Sequence, residues 1–254
     1  MAIKAYIFDV DGTLADTERD GHRVAFNQTF AAAGLDWQWD VQLYGALLAV
    51  TGGKERMRHY LERYRPDWPR PSDLDGLIAR LHAAKTRHYT TLVAQRGIPL
   101  RPGVVRLLEE AHRAGIRLAI ATTTTPENVT ALLQHSVAPQ VLDWFEVIAA
   151  GEIVPAKKPA PDIYRYVLDK LQLMPQDCLA FEDSGNGLRS SLGAGLRTVV
   201  TITDYTRDQD FRGAAIVLDH LGEPQQPFKV LTTSLAPNPE RYFDLALARR
   251  LADG

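Results

Sequence analysis

Cysteine is nearly missing: one residue in the chain, Cys178, which excludes an internal disulfide and any cysteine-rich metal centre and reads as a buried strand residue. Long apolar stretches are missing as well. No run approaches the roughly 18 residues that mark a membrane-spanning helix, and no basic leader precedes the first apolar segment at Ile3, so a cytoplasmic protein is expected. Blocks of like charge are also absent. With 29 basic and 31 acidic residues scattered along the chain, the formal charge is −2, and the clustered basic footprint of a nucleic-acid or anionic-membrane binder does not exist. Internal repeats are lacking, and the one low-complexity stretch is Thr122 to Thr125. What remains is 45% hydrophobic, too rich for a disordered chain.

The apolar residues fall into short strands. Ile3 to Phe8 is a run of β-formers ended by Asp9-Val10-Asp11-Gly12-Thr13; Ile116 to Ala121 stops at four threonines; Cys178 to Phe181 ends in Glu182-Asp183. Thr198 to Ile202 and Ala214 to Leu218 are the fourth and fifth. Helical stretches separate them, from about Gly103 to Ala114, from near Pro161, and up to about Ala194. Apolar strands alternating with amphipathic helices predict an α/β fold, a Rossmann-like parallel sheet covered on both faces, with ligands at the carboxyl ends of its strands. Between Glu18 and about Gln95 no strand is visible. Helices are expected there over about 18–33, 40–50, 54–64 and 72–95, with Trp37, Trp39 and Trp68 building a small core of their own. The expected division is a core of 1–17 and 96–230, an inserted helical cap of 18–95, and a tail of 231–254 with no usable pattern before a helical run near 240–251. A helical insert directly after the first strand sits above that strand's carboxyl end, where it can act as a lid.

Asp9 and Asp11, one residue apart at a strand end, can face one cleft; carboxylates are hard ligands for Mg2+, and one can attack phosphorus. Alone, the pair also reads as a solvated turn. Thr122 ends the second strand, where its hydroxyl can hold a phosphoryl oxygen; equally, the run Thr122, Thr123, Thr124 and Thr125 is a strand end and helix cap before Pro126. Lys158 precedes a helix with a fixed charge that can offset phosphate, or is a surface lysine in a proline-rich loop. Glu182 and Asp183, adjacent at a strand end, repel each other unless a cation or water reaches both. These four sites fall in order at the carboxyl ends of one sheet and can therefore converge.

As an ordered set, Asp-x-Asp-Gly-Thr, the strand-end threonine, Lys-Pro-x-Pro-Asp and Glu-Asp-Ser resemble the four motifs of the haloacid-dehalogenase superfamily of phosphotransferases, over roughly residues 3–220. The resemblance implies Asp9 as nucleophile forming an aspartyl-phosphate, Asp11 as general acid then base, and Thr122 and Lys158 on the phosphoryl group. It implies Mg2+ on Asp9, Asp183 and the Asp11 backbone carbonyl, supported by Glu182 directly or through water. Asp11 must be protonated when it acts, so its pKa is expected to be raised by burial or nearby negative charge once the cap closes.

The insert is similar to the small cap of the β-phosphoglucomutase-like branch, whose substrates are small phosphorylated metabolites. Within it, Glu18 to Arg23, Trp39-Asp40 and Gly52 to Arg56 look most like the CbbY-type phosphatases that hydrolyse xylulose 1,5-bisphosphate, an inhibitor of Rubisco. A soluble monomer with a small sugar-phosphate substrate is expected. Glu18 and His22, i and i+4, share one helix face and can both reach a sugar hydroxyl, or form a solvent-facing pair. Many relatives have two residues between them where this chain has three. Gly52, Gly53 and Lys54 can receive a second phosphate at a helix start, or form a plain hinge before a helix with Arg56, Arg58 and Arg63 solvated. Lys85 matches a cap lysine of the branch; a solvated helix lysine is the alternative. The branch's mutases carry a Gly-x-Ser-Arg loop that is absent here, which favours a phosphatase over a mutase.

Overall fold

Ala5–Phe8 forms β1, fully buried, an inner strand of a seven-stranded sheet. The computed structural model describes residues 3–136, 139–233 and 241–253. β2 (Arg117–Ala121), β3 (Phe145–Ala149), β4 (Cys178–Glu182), β5 (Arg197–Thr201), β6 (Ile216–Leu218) and β7 (Val230–Thr233) complete the sheet in the order β3-β2-β1-β4-β5-β6-β7. Every pairing is parallel except β6 with β7. Phe8 lies level with Ile120 of β2 and Phe181 of β4, so the chain leaves all three strands at one height. That register sets Asp9 level with Ala121 and Glu182, with Thr122 and Asp183 one residue further on, at the topological switch point of the sheet, where α/β folds bind ligands.

Side-chain alternation divides the core. Tyr6, Phe8, Ile120, Leu179 and Phe181 face the side covered by α5 (Val104–Arg113) and α6 (Pro126–Ser136). Ala5, Ile7, Ala119, Ala121 and Ala180 face α7 (Asp162–Leu171), and the small side chains let that helix approach closely. α8 (Gly185–Gly193) follows β4, its first turn capped by Ser184 Oγ, which accepts from the Gly187 N–H.

β3 and β7 have no counterpart among the expected strands, and β7 makes the sheet mixed rather than purely parallel. Both are edge strands, and Glu146 of β3 projects outward to Arg117, so the continuous apolar signature of an inner strand is missing. Much of the tail closes the first face of the core. Phe243 sets its ring edge-on to Phe181 at 5.3 Å, and Leu247 and Leu251 of α9 (Leu245–Asp253) are buried beside it. Pro237, Pro239 and residue 240 of the expected tail helix lie outside the described residues.

The insert is helical: α1 (Arg23–Ala32), α2 (Val41–Leu47), α3 (Gly53–Tyr64) and α4 (Leu74–Arg96). Asp40 caps α2 and Asp73 caps α4, each accepting a backbone N–H three residues on. Trp37 and Trp39 pack with Phe26, Phe30, Tyr44 and Tyr60 into a separate aromatic core, with Trp68 against its edge. The two chain crossings between sheet and insert are tied together: Ala15 bridges Leu100, and the Arg101 N–H donates to the Leu14 carbonyl at 2.9 Å. A Rossmann-like core carrying an inserted helical cap is the resulting architecture.

Candidate active site

A cleft of about 880 Å3 opens between the carboxyl end of the sheet and the insert, lined from below by Asp9, Asp11, Thr122, Lys158, Glu182 and Asp183. Lys158 Nζ uses all three protons: it donates to Asp9 Oδ1 at 2.7 Å, the Ala121 carbonyl at 2.8 Å and Glu182 Oε1 at 2.6 Å. The Tyr164 hydroxyl donates to the same Glu182 oxygen at 2.5 Å, and its ring lies under the ammonium at 5.1 Å. Lys158 is thus a buried cation on carboxylates, not a surface lysine. Burial opposes its charge, yet Asp9 and Glu182 hold it above the usual lysine range.

Carboxylate oxygens of Asp9, Glu182 and Asp183 lie within 4.8 Å of one another, all three residues buried. Burial, then the neighbouring carboxylates, push Asp9 up to about 7 and Asp183 well above its ordinary value; Lys158 opposes the shift at Asp9. Three carboxylates around one ammonium leave two negative charges uncompensated, which is the charge of one divalent cation. Because the donors are all oxygen, the cluster fits a hard ion such as Mg2+. Gly12 completes it: its φ of +90° suits glycine, and a Cβ there would overlap the Asp183 carboxylate.

Asp11 faces a different environment. Its Oδ1 accepts from Thr17 Oγ1 at 2.5 Å and from His22 Nε2 at 2.8 Å, while His22 Nδ1 meets Lys85 Nζ at 2.7 Å. An ammonium has no acceptor, so Nδ1 accepts and the ring proton sits on Nε2, directed at Asp11. Burial alone would raise the Asp11 pKa, but His22, Thr17 and Lys85 together hold it below the usual carboxylate range. The expectation of a raised Asp11 is therefore not met in this structure, where the hydrogen-bond donors and Lys85 outweigh burial. Lys85 is buried against Phe26 and Tyr89, and burial depresses it to about 8.

Glu18 to His22 forms a π-helical turn, not the expected first turn of an α-helix. The wider turn absorbs the additional residue before His22 and still delivers the imidazole to Asp11. His22 and Lys85 are consequently stacked behind Asp11, away from the cleft lining, while Glu18 lines the cleft and accepts from the Tyr44 hydroxyl at 2.5 Å. Thr123 also lines the cleft; Thr124 turns away, its hydroxyl accepting from Asn128 Nδ2 at 2.9 Å.

At the rim, Gly52 borders the cleft, but Gly53 packs on the His82 ring and Lys54 reaches outward to Glu152 at 2.9 Å. The expected Gly52-Gly53-Lys54 phosphate cradle is thus split, because a core carboxylate competes for the lysine. Arg56, which the hinge reading leaves in solvent, is buried: it donates to the Tyr44 hydroxyl at 2.9 Å and lines the cleft, whereas Arg58 pairs with Asp75 at the surface. Tyr44, Thr17, Tyr164 and Arg101 all touch this machinery without a motif to mark them, and Arg56 ends a segment singled out for its resemblance without a role assigned to it.

Residues 3–195 match the family model of haloacid dehalogenase-like hydrolases. The chain is 49% identical to Protein CbbY, plasmid, of Cupriavidus necator, over 97% of this chain and 96% of that protein. Two crystal structures of CbbY from Rhodobacter sphaeroides, one in complex with phosphate and one of a mutant in complex with xylulose-(1,5)bisphosphate, superpose with a TM-score of 0.80 at 50% identity. Each comparison covers 86% of this chain and 94% of the solved one. With four motif segments converging on one buried carboxylate cluster and likeness along nearly the whole chain, this protein belongs to the haloacid dehalogenase-like hydrolases, as a close relative of CbbY.

Proposed function

We propose that the chain is a Mg2+-dependent phosphatase that cleaves one phosphate ester of a small sugar bisphosphate, xylulose 1,5-bisphosphate before others, through an aspartyl-phosphate on Asp9. The observation that carries this reading is Asp9 itself: one carboxylate oxygen is held by Lys158 at 2.7 Å, at the floor of the cleft, with Asp11 beside it. The second Asp9 oxygen attacks phosphorus, the bond from phosphorus to the sugar oxygen breaks, and Asp11 protonates the departing oxygen. Water then attacks the aspartyl-phosphate while Asp11 takes its proton, releasing inorganic phosphate and restoring Asp9.

Asp9, Asp183, the Asp11 backbone carbonyl and Glu182 would hold Mg2+, which when bound neutralises phosphoryl oxygens as a Lewis acid. Thr122 holds the phosphoryl group, and Lys158, its protons on Asp9, the Ala121 carbonyl and Glu182, offsets the negative charge there. Asp11 rests as a carboxylate and needs a proton before it can give one. The entering phosphate dianion raises its affinity for a proton. The line Lys85, His22, Asp11 can supply one: Lys85 gives a proton to Nδ1 as Nε2 gives one to Asp11. Glu18, Gly52 and Arg56 face the sugar and its second phosphate. The working division is a cap of 18–95 over a core of 1–17 and 96–230, to which the tail adds its buried helix. Among the described residues no helix is long and apolar enough to cross a membrane, and we place the enzyme in the cytoplasm.

The test is phosphate release with Mg2+ from xylulose 1,5-bisphosphate, hexose phosphates and phosphoglycolate. The highest kcat/KM is expected for the pentulose bisphosphate. Isomerisation of a hexose phosphate without release of phosphate would make the protein a mutase instead.

A further inference from the structure

Arg101 stands where the chain returns from the cap, next to the Ala15 and Leu100 bridge, and its side chain turns inward beneath the Asp9 to Gly12 loop. Nη1 donates to the Gly12 carbonyl and, at 2.9 and 3.1 Å, to the carbonyl and hydroxyl of Thr201. Nη2 donates to the carbonyls of Ile202 at 2.6 Å and Asp219 at 2.8 Å, and Nε faces the Asp16 carboxylate at 3.6 Å. One planar fork thus gathers carbonyls from the loop after β1 and from the ends of β5 and β6. Buried carbonyls beyond the last ladder bond need such a partner. A lysine, whose three donors leave one point, cannot span them all.

The Gly12 carbonyl is the informative partner. Gly12 lies directly against the Asp183 carboxylate, so whatever fixes Gly12 also fixes how the Asp9 and Asp11 segment meets Asp183 across the sheet. Asp183 lies against the loop at Gly12, and the guanidinium holds the carbonyl of the same residue.

We propose that Arg101 is a positioning residue for the phosphatase: by clamping the Gly12 carbonyl to the ends of β5 and β6, it sets the separation between the Asp9–Asp11 segment and Asp183 on which metal affinity depends. This rests on the phosphatase reading above. The matched control is Arg106, which also donates to two carbonyls, those of Gly222 at 3.0 Å and Phe243 at 2.8 Å, but outside the cleft.

The experiment is calorimetric titration of the substrate-free protein with Mg2+, alongside steady-state kinetics and Tm, for wild type, Arg101→Lys, Arg101→Ala and Arg106→Ala. Arg101→Ala is expected to weaken Mg2+ binding about 10-fold or more, within the range typical of groups that orient metal ligands. Its kcat should fall with little change in substrate KM. Methylguanidinium, which restores the lost fork, should recover both, with Arg101→Lys intermediate. Arg106→Ala should lower Tm and leave Mg2+ affinity unchanged. Wild-type Mg2+ affinity and kcat in Arg101→Lys and Arg101→Ala, whatever their Tm, would overturn the proposal; if the alanine variant does not fold, the lysine variant decides in the same way. A wild type that binds no Mg2+ would instead overturn the phosphatase reading on which this one rests.

Discussion

The floor and the wall of the cleft each bury a lysine, and the two lysines are held in opposite ways. On the floor, Lys158 sits among Asp9 and Glu182 and is kept charged against its burial. In the wall, Lys85 meets an imidazole nitrogen and two aromatic rings, and burial brings it down to about 8. The aspartates divide in mirror image: Asp9 is pushed up to about 7 by burial among carboxylates, while Asp11 is drawn down by hydrogen-bond donors. A fixed cation suits a group that must offset negative charge throughout the reaction. A lysine near its titration point suits one that lends a proton. Position within one cleft, not residue type, separates the two roles.

Asp9→Asn breaks the floor most completely. An amide neither attacks phosphorus nor replaces a carboxylate on a cation, so turnover should fall at least about 10⁴-fold, with the circular-dichroism spectrum unchanged. Near-normal turnover in this variant would remove the covalent step. The floor also predicts a pH trend. Asp9, with its pKa raised from 3.8 to about 7, binds protons in the folded state that the unfolded chain has already released. In metal-free protein its stabilising contribution is complete below about pH 4 and lost as pH rises through about 7. Mg2+ must displace such protons, so the Tm increase it produces should be larger at pH 8 than at pH 5.5. An equal increase at both would mean that Asp9 is already ionised.

Asp11→Asn tests the wall. General acid and base assistance contributes roughly 10²- to 10⁴-fold, and that loss in kcat is expected with Mg2+ binding retained, since the floor carboxylates remain. Loss of Mg2+ binding with turnover preserved at saturating metal would reverse the assignments.

The floor was legible in the sequence and the wall only in part, for a physical reason. Asp9, Thr122 and Asp183 each follow an apolar run, and a parallel sheet brings such ends together whatever the intervening chain does, while Lys158 was marked by the Lys-Pro-x-Pro-Asp pattern before its helix. β3 and β7 escaped because edge strands are wetted on one side and lose the continuous apolar signature. The burial of Arg56 and Lys85 depends on which helix faces pack against Tyr44, Phe26 and Tyr89, a tertiary outcome that charge and spacing along one helix do not encode. His22 reached Asp11 through a π-turn, whereas an α-helical reading of the same spacing sent it into the cleft.

One substitution made in both regions sharpens the comparison. Lys158→Met leaves buried carboxylates without their ammonium; about 3–5 kcal/mol of stability should be lost in metal-free protein at neutral pH, and turnover should fall about 10²- to 10³-fold. Lys85→Met removes a charge that burial disfavours and substitutes an apolar chain against Phe26 and Tyr89, so Tm should hold or rise. Its kcat should fall about 10-fold, and the decline in wild-type activity as pH rises through about 8, where Lys85 loses its proton, should disappear. Parallel losses of stability from both substitutions would show that the two sites do not differ as described.

The smallest effect is expected at the rim, where Lys54→Ala distinguishes a phosphate clamp from a latch. Lys54 and Glu55 of the cap pair with Glu152 and Lys157 of the core, a crossed set of charges beside Gly52 at the rim of the cleft. The Lys54 and Glu152 side chains are 30% and 61% exposed, and ion pairs so wetted contribute about 1 kcal/mol or less and weaken with salt. As a latch, Lys54→Ala should lower kcat/KM no more than about fivefold, equally for a bisphosphate and the matching monophosphate, and the difference from wild type should shrink in 0.5 M salt (roughly a 4 Å screening length). Exchanging the charges, Lys54→Glu with Glu152→Lys, should restore the rate. A clamp requires the lysine to leave Glu152 for the second phosphate. In that case only the bisphosphate should suffer, by about 10- to 150-fold, and the exchanged pair should rescue nothing, because a glutamate then faces the phosphate.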